Sequence, residues 1–130
     1  MGNRITEDPW YKELVRAIIK SNPKRLARIS AGKGSKFDKM AAYAISEAIN
    51  NVNIGTSSPE VREVITKKII DSIETDTAWE RMGDTYCGRS TFYAYRKRFM
   101  KLIAINIGAI QDTTTKSVLR RTDTPGKGIE

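Results

Sequence analysis

Apolar side chains in this chain recur at intervals of three and four residues, and nowhere do they alternate with period two over a useful length. The clearest run is Phe37, Met40, Ala41, Ala44, Ile45, Ala48 and Ile49. The same spacing returns in Trp10, Leu14, Val15, Ile18 and Ile19 and again in Val61, Val64, Ile65, Ile69 and Ile73. A strand cannot bury such a set on one face, whereas a helix can. The pattern predicts an all-α chain: a small multi-helix domain with a flexible C-terminal tail.

Local stop and start signals set the helix boundaries. Asp8-Pro9 opens the first helix, because Asp accepts from exposed amides and Pro at the first helical position loses no needed bond. Ser21-Asn22-Pro23 ends it and starts a short second helix over 23–30. Ala31-Gly32-Lys33-Gly34-Ser35 reads as a flexible basic loop before a third helix at about 36–51. Asn50 to Gly55 stops that helix, Thr56 to Ser58 supply the next cap, and Pro59 opens a fourth helix ending near 74. A short fifth helix is expected from Thr77 to Met82, broken by Gly83-Asp84. The sixth and longest runs from Ser90 to Ile107 with Gly108 as its terminator. The tail at 112–130, rich in Thr, Gly and charge, is expected to lack order.

Several function classes are excluded by what is missing. The chain has no His, which removes the usual general base and the usual metal ligand. Its lone Cys87 allows neither an intramolecular disulfide nor a Cys-based metal site, and its place in a turn suits packing better than nucleophilic chemistry. The expectation is a protein that is not an enzyme and needs no cofactor or metal. Gly32-Lys33-Gly34-Ser35-Lys36 lacks the spacing and the preceding strand of a phosphate-binding P-loop, though Lys33 or Lys36 could touch a phosphate. The opening residues lack an apolar leader core and no run suffices for a membrane span, so a cytoplasmic protein with no membrane partner is expected. Met1 to Thr6 matches the loose myristoylation pattern, which a chance match explains.

With 23 Lys and Arg against 15 Asp and Glu, the formal net charge is +8, so acidic partners are expected. The charge is clustered. Residues 85–111 hold Arg89, Arg96, Lys97, Arg98 and Lys101 and no acid. A helix there would turn Phe92, Tyr95, Phe99, Leu102 and Ile103 to the core and present Arg89, Ser90, Thr91, Tyr93, Ala94 and Lys97 on the opposite face. These types suit a DNA groove: Arg can bridge guanine O6 and N7, Ser and Thr can bond bases or phosphate, and an Ala methyl can meet a thymine methyl. Arg96, Arg98 and Lys101 are better placed for phosphates, with Lys24, Arg25 and Arg28 as further anchors. Residues 56–111 thus follow helix-turn-helix order, and the expected partner is double-stranded DNA.

The run Gly88-Arg-Ser-Thr-Phe-Tyr-Ala-Tyr-Arg-Lys-Arg-Phe99, followed by Leu102-Ile103-Ala104 and Gly108-Ala-Ile110, also resembles a family. It is similar to the C-terminal signature of small phage-encoded late-transcription regulators of Gram-positive bacteria, the RinA/ArpU-like group, whose helix-turn-helix resembles region four of sigma factors. The resemblance covers about residues 59–110; the turn Gly83-Asp-Thr-Tyr-Cys-Gly88 departs from the family pattern. It implies a phage or prophage activator of late gene expression working with the host RNA polymerase, with Arg89, Ser90, Thr91, Tyr93, Ala94 and Lys97 as DNA contacts. Region 1–55 would then serve packing, oligomerisation as a homodimer, or polymerase contact. Alternatives are a DNA-packaging protein like a small terminase subunit, and a nucleoid-like binder without sequence preference.

Overall fold

The computed structural model describes residues 9–111 and is all-helical. The elements are α1 (Lys12–Lys20), α2 (Asn22–Ser30), α3 (Lys36–Asn51), α4 (Pro59–Thr75), a 3-10 turn at Trp79–Arg81, and α5 (Arg89–Asn106). The expected cap at Asp8, the lipidation pattern and the 112–130 tail lie outside the described residues.

Local chemistry accounts for most boundaries. Ser35 caps α3 through a capping box: its hydroxyl accepts from the Asp38 amide at 3.0 Å, and the Asp38 carboxylate accepts from the Ser35 amide at 3.0 Å. Ser58 caps α4 ahead of Pro59 by accepting from the Val61 amide. Gly108, at φ 81, ends α5 in a Schellman turn, the Ala109 amide reaching Ala104 O and the Gly108 amide reaching Ile105 O.

The glycine-rich loop between α2 and α3 proves to be a tight corner. Gly32 sits at φ 77 and closes a second Schellman turn through Lys33 N to Arg28 O and Gly32 N to Ile29 O. Gly34 lies so close to α2 that a Cβ there would stand 2.6 Å from Ile29 Cγ1. Both glycines are required by the corner's geometry, and the expected flexible loop is corrected accordingly.

The short helix expected over 77–82 is also corrected. Only a three-residue 3-10 turn forms, and residues 76–88 link α4 to α5 without the second α-helix of a standard helix-turn-helix. Residues further along the chain hold this link: Tyr93 Oη accepts from the Trp79 amide at 3.0 Å, and the Trp79 indole donates to Thr85 Oγ1 at 2.9 Å.

One core runs through the described chain and does not divide at residue 55. It joins Val15, Ile18 and Ile19 of α1 to Ala41, Ile45 and Ala48 of α3, Ile65, Ile69 and Ile73 of α4, and Phe92, Phe99, Met100, Ile103 and Ala104 of α5. The most extensive helix pair is α3 with α5. They run antiparallel: Arg98 reaches Val52 O and Asn106 reaches Ala44 O. The small side chains of Ala41, Ala44 and Ala48, all fully buried, permit a close approach. The apolar stripe of α3 is wider than the core needs, so Phe37, Met40 and Ile49 stay partly exposed against expectation. On α5, Met100, Ala104 and Arg96 are buried in addition to the expected residues, while Tyr95 and Leu102 are only half-buried.

Candidate nucleic-acid interface

The start of α5 is fixed by the link before it. Gly88 is the N-cap without a side-chain bond of its own, so Phe92 N to Gly88 O makes the first backbone bond. Thr85, buried, donates to Cys87 O and accepts from Trp79, and Asp84 accepts from the Tyr86 amide at a left-handed residue, φ 57. Arg89, Ser90 and Thr91 then enter the first turn with no acid among them.

The nine expected contact residues separate into two groups. Ser90, Thr91, Ala94, Lys97 and Lys101 are exposed. Positions 90, 94, 97 and 101 follow helical spacing, so these side chains share an outward face. Ala94, Lys97 and Lys101 line a shallow depression with Arg98 and Tyr11.

The other four have structural partners. Arg98 Nη1 donates to Val52 O at 2.8 Å and Asn53 O at 3.4 Å, closing the C-terminal end of α3. The buried Arg96 lies 3.6 Å from Asp76 Oδ1, a carboxylate that also meets Lys12 at 3.3 Å and Arg16 at 3.5 Å. Tyr93 is half-buried with the Arg89 and Arg96 guanidinium carbons 5.1 and 5.8 Å from its ring centroid. Arg89 Nε donates to Glu80 Oε2 at 2.8 Å. The carboxyl of Glu80 is held below its usual range by its own backbone amide and by Arg89.

The further anchors divide in the same way. Arg25 is buried and donates to Ile18 O, Asn22 Oδ1 and Ser21 Oγ. Arg28 forks Asp38, with Nε to Oδ2 at 3.0 Å and Nη2 to Oδ1 at 2.6 Å. That fork, reinforced by the Ser35 amide, holds the Asp38 carboxyl far below the ordinary carboxylate range. Lys24 is exposed, as are Lys33, Lys36 and Lys39 around the corner. Lys20 and Lys39 are exposed as well, and the only sequence signal for this is their position off the apolar stripes.

The described residues carry no other assembled chemistry. Among them no cluster of His, Cys, Asp and Glu could hold a metal ion, and no helix is long and apolar enough to cross a membrane. Burial pushes the Cys87 thiol up, away from the thiolate form a nucleophile needs. No protein-family model, curated protein or solved structure matches the chain.

Proposed function

We propose that the protein is a sequence-specific double-stranded DNA-binding regulator that reads DNA with the outer face of α5. The observation that carries this reading is the exposed stripe of Ser90, Thr91, Ala94, Lys97 and Lys101 on a helix without a single acid from Arg89 to Asn106. At 18 residues, α5 spans about 27 Å. A helix of ordinary girth fits the roughly 12 Å major groove. Small and hydroxyl side chains at its N-terminal end leave room for base edges, and the lysines one to two turns later suit phosphates.

Here the reading helix is braced by α3 and α4 in place of a paired short helix. Tyr95 Oη accepts from the Gly55 amide at 2.9 Å, and with Arg98 it ties α5 to the α3–α4 connection. Such bracing fixes the helix so that little conformational freedom is lost on binding.

The resemblance of about residues 59–110 to phage late-transcription regulators extends the proposal to activation of late genes with the host RNA polymerase, in the cytoplasm of a bacterial host. A homodimer would supply the second half-site that one small reading helix ordinarily needs.

The test is selection of bound duplexes from a random pool at about 0.15 M salt, where phosphate contacts alone are weakened. A sharp enriched motif is expected, and its symmetry reports one or two copies. Binding without enrichment would replace this function with packaging or architectural roles.

A further inference from the structure

Arg89 opens α5 at the edge of the proposed DNA face, on the flank it shares with Tyr93 and Arg96. Its Nε is taken by Glu80 at 2.8 Å and its guanidinium stacks 5.1 Å from the centre of the Tyr93 ring. Tyr93 is itself anchored, since its hydroxyl accepts from the Trp79 amide at 3.0 Å. One edge and one face of the guanidinium are therefore fixed. The side chain is 34% exposed, and neither Nη has a hydrogen-bond partner among the described residues.

A fork held in this way suits a pair of coplanar acceptors, which a guanine Hoogsteen edge and a phosphate both offer. Glu80 decides between them. Its carboxylate balances the guanidinium charge, so the pair has little net attraction for a phosphate, while the directional match to O6 and N7 survives. Arg89 also opens the helix, where base-reading residues of a groove-bound helix belong.

We propose that Glu80 and Tyr93 position Arg89 to read one guanine, which makes Glu80, a residue outside the reading helix, a determinant of sequence preference. This inference rests on the DNA-binding reading above. In its resting state the guanidinium is held by one hydrogen bond and one ring contact, so part of the entropy normally lost when an arginine docks has already been lost in folding.

The experiment uses the full chain and the duplex enriched by the wild type, with each guanine replaced in turn by 7-deazaguanine, which lacks the N7 acceptor. For the wild type, replacement at one guanine is expected to weaken binding about tenfold. Glu80→Ala and Glu80→Gln both remove the repelling charge and are each expected to raise affinity for unselected duplex by about threefold. They part on discrimination. Glu80→Ala removes the acceptor for Nε, and its penalty at that guanine should fall to about twofold, whereas Glu80→Gln retains an acceptor and should keep most of the tenfold penalty.

An unchanged penalty in Glu80→Ala, or equal loss in both variants, would overturn the positioning role and leave Glu80 as a repelling charge alone. So would a wild-type motif in which no guanine depends on N7. Failure of the wild type to enrich any motif would instead overturn the DNA-reading function, and this assignment with it.

Discussion

The α2–α3 hairpin and α5 both carry dense positive charge and divide it in the same way, arginines to internal contacts and lysines to the surface, but they do so for different reasons and among different neighbours. In the hairpin, Arg25 and Arg28 form an internal latch to Ile18 O, Ser21, Asn22 and Asp38, because α2 buries no apolar side chain that could hold it. Lys24, Lys33, Lys36 and Lys39 are left outside beside exposed Leu26, Phe37, Met40 and Tyr43. In α5 an apolar face already supplies packing, and Arg96 and Arg98 brace neighbouring elements while Lys97 and Lys101 remain exposed next to small and hydroxyl side chains. Planar guanidinium groups can satisfy several acceptors at once in a confined place, and ammonium groups stay hydrated at the surface. The charge left for a partner in these two regions is therefore chiefly that of the lysines, with Arg89 balanced by Glu80, and is less than the full count of cations.

The largest expected effect tests the structural side of this division. Arg96→Ala removes a buried guanidinium beside Asp76 and its stacking on Tyr93, and should cost about 3 kcal/mol in chemical unfolding. An exposed lysine one position away, Lys97→Ala, should cost less than about 0.5 kcal/mol. Equal losses would show that Arg96 is not the structural cation the geometry makes it.

Next comes the functional side. Replacing Lys97 and Lys101 together by Ala should weaken DNA binding about tenfold at moderate salt and flatten the dependence of log affinity on log salt by about 2. The matching pair in the hairpin, Lys36 and Lys39, should change affinity by less than about twofold. The reverse pattern would move the interface to the hairpin, where the lysines are more numerous and surround apolar side chains.

How much of this could be read from the chain depends on the range of the cause. The capping box at Ser35, the Pro59 start and the Gly108 stop are written within four residues of where they act, and α3, α4 and α5 fall within a residue or so of expectation. The 77–82 segment is set by Tyr93 and Thr85 from further along the chain, and no local signal distinguishes its 3-10 turn from a short helix. Arg96 is different. It lies on the stripe of Phe92, Phe99, Met100 and Ile103, so its burial was signalled by spacing and obscured by its charge. Its partner Asp76 lies 20 positions earlier, beyond the reach of any periodicity. For the same reason the pairing of Arg89 with Glu80, which orients that cation, is visible only in the fold that brings the two elements together.

A smaller effect belongs to the corner between α2 and α3. Ser35→Ala deletes one half of the capping box and should cost about 1 kcal/mol in thermal or chemical unfolding. Hydrogen exchange should place the loss in the first turn of α3 and leave α5 protected as before. A loss shared equally by α5 would mean that the hairpin and the reading helix unfold as one unit.

The last effect depends on pH and comes from Asp38, whose contribution is present at neutral pH and is lost in acid. Its carboxyl ordinarily titrates at 3.8, and in the folded chain the Arg28 fork and then the Ser35 amide hold it well below that value. A depressed folded-state value means that the unfolded chain binds the proton first. The contribution is therefore fully present above about pH 5 and drains away as the pH falls through 3.8 toward the folded value. Asp38→Asn lacks that proton uptake, so its stability should start lower at neutral pH and fall less steeply in acid, the two melting curves converging as the pH drops. Parallel curves would mean that the latch holding α2 does not depend on the ionised carboxylate. The hairpin would then owe its place to packing, as α5 does, and the contrast between the two regions would fail at its other end.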